Sequence, residues 1–248
     1  MTETQQVIVN LEQGILSIEL NRPEKKNALT NDMYKIINDA LIRAKTDAEI
    51  RVVLFAGKGD CFTAGNDIAD FLDSDIAFEE KEVVKLLRIL TDFEKPIVAA
   101  VHGSTIGIGT TLLLHCDLVV AAKETTFALP FVPLGLCPEA ASSLLLPNLV
   151  GYHQAAELLL LGEAFNTEKA EKIGLINRVV ETREVRLQAM ALCQKLASLP
   201  VNALLQTKRL LKSVPNTVEK RISQELDVFG KLLESKEAKA IFQAFLNK

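Results

Sequence analysis

Two short apolar segments, each followed at once by a loop that contains glycine, constrain what this chain can fold into. The segments are RVVLFAG (51–57) and PIVAAV (96–101), and the loops after them contain FTAGND and TIGIG. Four to eight consecutive apolar residues between turn signals are typical of a strand that is buried on both faces. Such a sheet needs helices to cover it, so this feature predicts a layered α/β fold.

The neighbouring segments fit that fold. VIVNLEQGILSIELNRP alternates apolar and polar residues around a Glu-Gln-Gly turn, which predicts a β-hairpin closed by Pro23. Thr30 precedes a stretch in which Met33, Ile37 and Leu41 recur at helical spacing, so we expect a helix within 30–47. FEEKEVVKLLRIL predicts an amphipathic helix, and TTLLLHC a short helix that leads into the strand DLVVAA.

The second half of the chain has a different pattern. From about residue 138 onward it is nearly all helical, with one strand-like piece at 177–180. No long linker or low-complexity tract divides the sequence, so we interpret 1–248 as one domain, with a core over about 1–195 and a helical extension over about 196–248. Apolar stripes in the extension predict that it packs on itself or on a neighbouring subunit.

Composition narrows the function classes. Hydrophobic residues make up 48% and charged residues 24%, which is typical of a globular protein. The net charge of −4, without a basic stripe, argues against a nucleic-acid partner. The four cysteines have no CxxC or disulfide-rich spacing, so we expect reduced thiols. We find no leader segment, membrane span or peroxisomal C-terminal address, so the expectation is a cytoplasmic protein without a membrane partner.

Several common site types are absent from the sequence. The three histidines, at 102, 115 and 153, lack the close spacing that zinc sites use, so no metal site is predicted. GSTIG is not the GxSxG elbow of serine hydrolases, and GIGTTL lacks the third small residue of a dinucleotide-binding loop.

Glu139 is an acid in an apolar stretch, LGLCPEAASS, and two interpretations stay open. In the first, Pro138 begins a helix and Glu139 complements the helix dipole in the first turn. In the second, Glu139 is a carboxylate in an apolar pocket that moves protons. The two glycine loops have two interpretations as well, since they could be tight turns or could direct bare N–H groups at one negative oxygen.

Four blocks follow one another along the chain: NRPEKKNALT, FTAGNDI, AAVHGSTIGIGTTLLLHCDLVVAA and TFALPFVPLGLCPEAASSLLLPNLVG. Together they resemble the enoyl-CoA hydratase/isomerase, or crotonase, family. The resemblance implies a spiral of repeated ββα units with a helical C-terminal region that mediates homotrimers or hexamers. It implies an acyl-CoA substrate, with CoA as part of the substrate and no separate cofactor. It also implies an oxyanion hole of two backbone N–H groups, which by position belong to Ala64 and Ile108.

The resemblance also assigns residues to CoA and the acyl group. Around the CoA it places Lys25, Lys26, Ala28 and the loop Ala64, Gly65, Asn66, Asp67 and Ile68, with KAIFQAFLNK as a C-terminal helix that can reach CoA. Phe131 and Leu136 belong to the apolar surroundings of the pocket. Asn66, Asp67 and His102 could equally be structural hydrogen-bonding residues.

The departures from the family pattern narrow the chemistry. Hydratases of this family use two glutamates to activate water, and the matching positions here are Thr111 and Phe131. LGLCPEAASS is instead similar to the segment of peroxisomal-type Δ3,Δ2-enoyl-CoA isomerases in which the acid of the Pro-Glu pair is the base, which indicates Glu139. Our leading hypothesis is therefore such an isomerase in fatty-acid degradation. The alternatives are another crotonase reaction, such as enoyl-CoA hydration or thioester hydrolysis, and a non-catalytic acyl-CoA-binding protein.

Overall fold

The structure is a computed structural model that describes residues 5–72, 77–212 and 215–247. Within these residues the chain forms nine strands: β1 (Val7–Glu12), β2 (Ile15–Leu20), β3 (Val52–Gly57), β4 (Ile97–Val101), β5 (Ser104–Ile106), β6 (Leu118–Ala122), β7 (Thr126–Ala128), β8 (Phe165–Asn166) and β9 (Arg178–Val180).

The helices of the described residues are α1 (Asn31–Thr46), α2 (Ile68–Leu72), α3 (Glu82–Thr91), α4 (Ile108–Thr111), α5 (Ser142–Val150), α6 (Tyr152–Ala156), α7 (Thr167–Lys172), α8 (Val185–Ser198), α9 (Val201–Leu211), α10 (Pro215–Leu233) and α11 (Lys236–Leu246). Single 3-10 turns lie at Pro23–Lys25, Phe78–Glu80, Leu112–His115, Val132–Leu134 and Thr182–Glu184, and a π-helical turn lies at Glu157–Leu161.

The main sheet has six strands in the order β1-β2-β3-β4-β6-β9, parallel except for the hairpin of β1 and β2. Gln13 and Gly14, both with positive φ, form the turn of that hairpin, which confirms its prediction. Thr30 accepts a hydrogen bond from the Met33 N–H and caps α1, so the predicted start of this helix is also confirmed.

Alternate residues of the central strands face two different cores, as the period of two in a strand requires. In β3, Val53 and Phe55 face the larger core, which includes the apolar sides of α1 and α3. Val52 and Leu54 face the opposite core, which is closed by α8. Both faces of the sheet are therefore covered, and the predicted α/β layering is confirmed.

A second, smaller sheet holds the glycine loops. It has the order β5-β7-β8, and an isolated bridge between Thr63 and Thr105 links the loop after β3 to β5. The predicted loop HGSTIGIG therefore contains a short strand, which the sequence does not mark because three residues are too few for a pattern.

The C-terminal helices α10 and α11 pack on the same chain. Ile222, Phe229 and Phe242 are buried in the larger core. The helical extension therefore contributes to the interior, and its predicted role in oligomerisation stays a prediction. None of the helices described is both long and apolar enough to cross a lipid bilayer.

Candidate active site

The two glycine loops lie side by side. The Thr63 N–H donates to the Ser104 carbonyl at 3.0 Å, and the Ile106 N–H donates to the Thr63 carbonyl at 3.0 Å. A Cβ on Gly109 would lie 2.5 Å from Cγ2 of Thr63, so only glycine allows the loops to come this close. The loops that are far apart in sequence therefore form one surface.

On this surface the backbone N–H groups of Asn66 and Ile108 have no hydrogen-bond partner among the described residues. Each follows a glycine with positive φ, Gly65 at +96° and Gly107 at +56°. Glycine adopts this conformation without the steric cost of a Cβ, and the turn leaves the next N–H outside the main-chain ladder. The two N–H groups can therefore bind one negatively charged oxygen.

The structure corrects one of the two predicted donors. The Ala64 N–H donates to the Lys26 carbonyl at 2.9 Å, so it is not free for a ligand. The reason is that the segment around Leu29 pairs with this loop: Leu29 donates to the Gly65 carbonyl, and the Asp67 N–H donates to the Leu29 carbonyl. In this pairing the N–H of Asn66 faces away from Leu29, and Asn66 replaces Ala64 as the candidate donor.

A cleft opens beside these N–H groups. Most of the residues that the sequence assigned to the substrate line it: Ala64, Gly65, Asn66, Ile68, Ile108, Phe131 and Leu136. Phe229 of α10 and Phe242 of α11 also line the cleft. The sequence analysis missed Phe229, whereas Phe242 belongs to the segment KAIFQAFLNK that it expected to reach CoA. Both residues lie on the apolar faces of the C-terminal helices. An apolar face predicts that its side chains are buried, but it does not show which part of the protein they pack against.

The remaining predicted contacts lie outside the cleft lining. Lys25 and Lys26 are exposed and Ala28 is half-buried, all on the segment that pairs with the Ala64 loop. Asp67 forms an ion pair with Arg22, with 2.6 Å between Nη1 and Oδ2. Asp67 thus has the structural role that the sequence left open.

Two more side chains with open roles are bonded within the protein. The side-chain oxygen of Asn66 accepts a hydrogen bond from the Tyr34 hydroxyl. Nε2 of His102 lies 3.0 Å from the Gly59 carbonyl oxygen. His102 therefore has a structural hydrogen bond. Asn66 has a hydrogen-bonded side chain and a backbone N–H that is free to bind a ligand.

Glu139 is 4% exposed. Its Oε1 accepts a hydrogen bond from the Thr111 hydroxyl, whereas its Oε2 has no partner among the described residues. Thr111 ends α4, the helix that begins with Ile108. Glu139 itself is not part of the cleft lining, but it contacts the helix that carries one of the two free N–H groups. The carboxylate therefore lies beside the candidate oxyanion site with one oxygen free.

Burial raises the pKa of Glu139 from 4.5 to about 8. The hydrogen bond from Thr111 opposes this shift, and the negative charge of Glu225 adds to it. Burial, followed by the charges of Glu139 and Asp70, also raises the pKa of Tyr34 well above its usual value. A carboxylate with a pKa near neutrality can both accept and release a proton.

The first interpretation of Glu139, as a first-turn residue of a helix that starts at Pro138, is wrong. The helix α5 begins at Ser142, and both Ala140 and Ala141 have positive φ values, 56° and 54°. Two left-handed residues cannot continue a right-handed helix, so Glu139 lies on an elbow before the helix. Its charge does not serve as a helix cap.

Comparisons with known proteins agree with this geometry. A family model described as enoyl-CoA hydratase/isomerase matches residues 10–248. Enoyl-CoA delta isomerase 2 from Rattus norvegicus is 37% identical over 216 residues, which are 85% of this chain and 55% of the rat protein. Crotonyl-CoA hydratase from Syntrophomonas wolfei is 32% identical over 248 residues, which are 98% of this chain and 95% of the hydratase. The chain thus spans about half the length of the rat protein.

Solved structures give the same result. OdaA from Pseudomonas aeruginosa superposes with a TM-score of 0.95 at 40% identity, over 99% of this chain and 100% of the other. An enoyl-CoA hydratase/isomerase from Pseudoalteromonas atlantica has a TM-score of 0.94 at 40% identity, over 98% and 97% of the two chains. These neighbours confirm the crotonase-like fold. The chain belongs to the enoyl-CoA hydratase/isomerase, or crotonase, family.

Proposed function

We propose that this protein is a Δ3,Δ2-enoyl-CoA isomerase, which moves the double bond of a 3-enoyl-CoA to the 2-position in fatty-acid degradation. The observation that carries the proposal is Glu139, a buried carboxylate with one unpartnered oxygen that contacts α4, the helix whose first residue has one of the two free N–H groups. The likeness to enoyl-CoA delta isomerase 2 supports it.

The proposed reaction begins with the ionised form of Glu139, which takes a proton from C2 of the 3-enoyl thioester. The electrons of that C–H bond form a double bond between C1 and C2, and the π electrons of the carbonyl move to the thioester oxygen, which gives a dienolate. The N–H groups of Asn66 and Ile108 bind that oxygen. Protonated Glu139 then delivers the proton to C4, which bonds through the π electrons of C3–C4. The C1–C2 electrons become the new C2–C3 double bond and the carbonyl re-forms, which leaves a conjugated 2-enoyl thioester.

The two parts of this site contribute comparable amounts. One oxyanion donor is typically worth about 10²–10³ in rate, and a positioned acid–base group about 10²–10⁴. Because the oxyanion donors are main-chain groups, ordinary substitutions leave them in place. Glu139 is therefore the side chain through which the proposal can be tested.

Isomerisation suits a site with one acid better than hydration does. Addition of water requires a group that activates the water and a group that delivers a proton. The residues at the two positions that carry glutamates in the hydratases are Thr111, whose hydroxyl donates to Glu139, and Phe131, which lines the cleft. Neither side chain is a base at neutral pH.

Hydration is the second candidate, since crotonyl-CoA hydratase matches the chain over nearly its whole length. In that case Glu139 would activate the water by itself. Thioester hydrolysis and acyl-CoA binding without turnover are weaker alternatives, because no separate observation favours either.

The test compares wild type, Glu139→Gln and a control, Glu171→Gln, which removes one charge at an exposed position. Each is incubated with a 3-enoyl-CoA and, separately, with a 2-enoyl-CoA, and formation of the conjugated thioester or of the 3-hydroxyacyl product is followed. We expect Glu139→Gln to lower isomerisation by at least about 10²-fold while CoA binding persists. Faster hydration than isomerisation by wild type would favour the second candidate, and binding without conversion would exclude both.

A further inference from the structure

A second carboxylate lies behind the Glu139 elbow. Glu225 of α10 is 6% exposed, and its Oε2 accepts a hydrogen bond from the Ala141 N–H at 2.5 Å. Its Oε1 accepts from the Ser143 N–H at 3.1 Å and from the Ser143 hydroxyl. A residue from the C-terminal helix thus caps the N-terminus of α5.

The capped segment is the one that positions Glu139. Ala140 and Ala141 adopt left-handed backbone conformations, which residues with a Cβ rarely do, so the elbow depends on contacts from outside. Glu225 accepts a hydrogen bond from the Ala141 N–H. Nε2 of His115 lies 2.8 Å from the Ala140 carbonyl oxygen.

We propose that Glu225 is a positioning residue for Glu139, because its buried carboxylate fixes the elbow at 140–143. This inference rests on the proposed role of Glu139 as the proton-transferring group. A base of this kind loses rate when its carboxylate moves, because proton transfer requires close and well-oriented contact.

The titratable groups around Glu139 come from several elements. Tyr34 of α1 and Cys137 of the same segment are near enough for the Glu139 charge to raise their pKa values, although burial is the larger cause for both. Burial lowers the pKa of His115 to about 4, so this imidazole is neutral. Glu225 is the group whose charge adds to the effect of burial on the pKa of Glu139.

Burial raises the pKa of Glu225 above its ordinary value, and the hydrogen bonds from Ser143 and Ala141 and the positive charge of Arg221 limit this rise. Arg221 also donates to the Ser143 hydroxyl at 3.2 Å, which links it to the same network. Three donors to one carboxylate favour its ionised form.

A signal for Glu225 is present in the sequence. Ile222, Leu226 and Phe229 form one face of α10, and Glu225 lies on that same face, at the i+3 position from Ile222. An acid on a buried apolar face needs a partner inside the protein. The sequence does not show which part of the fold supplies that partner.

The test uses Glu225→Gln, which removes the charge and one acceptor, and Ser143→Ala, which removes one donor to Glu225 and leaves the fold less perturbed. The control is Glu219→Gln, the same change at an exposed position of α10. With a 3-enoyl-CoA we expect Glu225→Gln to lower kcat by about tenfold or more, with KM changed less than about twofold. Because a nearby negative charge is removed, the rising limb of the pH profile should move to lower pH.

An activity-independent readout accompanies the kinetics. The infrared C=O band of protonated Glu139, identified by its loss in Glu139→Gln, should titrate at lower pH in Glu225→Gln than in wild type. Unchanged kcat together with an unchanged titration of this band would overturn the inference. If Glu225→Gln does not fold, Ser143→Ala decides, since unchanged kcat and an unchanged band in that variant also overturn it. Wild type without isomerase activity would refute the proposed function, while the band would still show whether Glu225 acts on Glu139.

Discussion

Glu139 stabilises the fold least at high pH, where its carboxylate is ionised and has the form that the proposed reaction requires. Its pKa is about 8 in the folded protein and 4.5 in its ordinary, exposed state, because burial disfavours the charged form. Between these pH values the folded chain holds a proton that the unfolded chain has released. The contribution of Glu139 to stability is therefore fully present below about pH 4.5 and is lost as the pH rises through about 8.

Substitution of Glu139 by glutamine, which does not titrate, should remove this loss. Each pKa unit corresponds to about 1.4 kcal/mol, so the total is on the order of a few kcal/mol. We expect the difference in melting temperature, Glu139→Gln minus wild type, to increase by at least about 3 °C between pH 5 and pH 9. Differential scanning calorimetry at both pH values measures this difference, and parallel curves for the two proteins would contradict the raised pKa.

Thr111 acts on the same carboxylate in the opposite direction. Its hydroxyl donates to Oε1 of Glu139 and so lowers the pKa of that group. Thr111→Val removes the donor at nearly constant volume, so the pKa of Glu139 should rise by about half a unit or more. The rising limb of kcat/KM against pH should then move to higher pH, whereas the control Thr111→Ser, which keeps the hydroxyl, should leave it in place. A limb that does not move in Thr111→Val would exclude Thr111 as a partner of the base.

At the level of elements, the turn at Gly107 directs the Ile108 N–H, one of the two candidate oxyanion donors. Gly107 has φ +56° and ψ −118°, and a Cβ added there would meet no atom within 4 Å. Gly107→Ala therefore changes backbone strain without a clash, at a cost on the order of 1–3 kcal/mol. Since the strain is relieved by a shift of the Ile108 N–H, we expect isomerase kcat to fall by about 10²-fold.

Gly151 supplies the matched control for this variant. It has φ +81° and equally open surroundings, but it lies between α5 and α6, away from the glycine loops. Gly151→Ala should lower the melting temperature by a similar amount and leave kcat near the wild-type value. An equal loss of kcat in both variants would show that Gly107 acts through stability and not through the donor.

At the scale of the whole molecule, the chain exposes several large apolar side chains on two consecutive helical segments. Tyr152 of α6 is 73% exposed, and Leu160 and Leu161 of the following π-helical turn are 63% and 55% exposed. Exposed apolar groups of this kind are typical of surfaces that bind another chain. They agree with the homotrimer that the family resemblance implies, which stays a prediction.

Light scattering coupled to size-exclusion chromatography tests that prediction. We expect three or six times the monomer mass for wild type and a lower mass for Leu160→Asp, because a carboxylate in an apolar interface is costly to desolvate. Ile42→Asp, at an isolated exposed position of α1, is the control and should keep the wild-type mass. A wild-type mass for Leu160→Asp would place the contact between subunits on another surface.

Local patterns were sufficient for most of the long elements, and the family resemblance selected Glu139 as the candidate base. The hairpin, the capped helix α1 and the buried strands β3, β4 and β6 follow from periodicity and turn residues, since each depends on neighbours in sequence. The blocks shared with the family indicated Glu139 as the base. Because positions 111 and 131 are Thr and Phe, where the hydratases have glutamates, a mechanism with one acid was expected. Boundaries were less certain, as the late start of α5 shows.

The sequence by itself determined which residue types are candidates for the chemistry: one acid among apolar residues, and glycines that can leave a backbone N–H free. Only the tertiary structure decided which N–H groups are free, because the Ala64 N–H is taken by Lys26, a residue from a distant segment. The same holds for Thr111 and Glu225, whose contacts with the Glu139 elbow join separate helices. Segments that are distant in sequence form hydrogen bonds and bury one another only when the chain has folded. The pattern of neighbouring residues therefore cannot predict them.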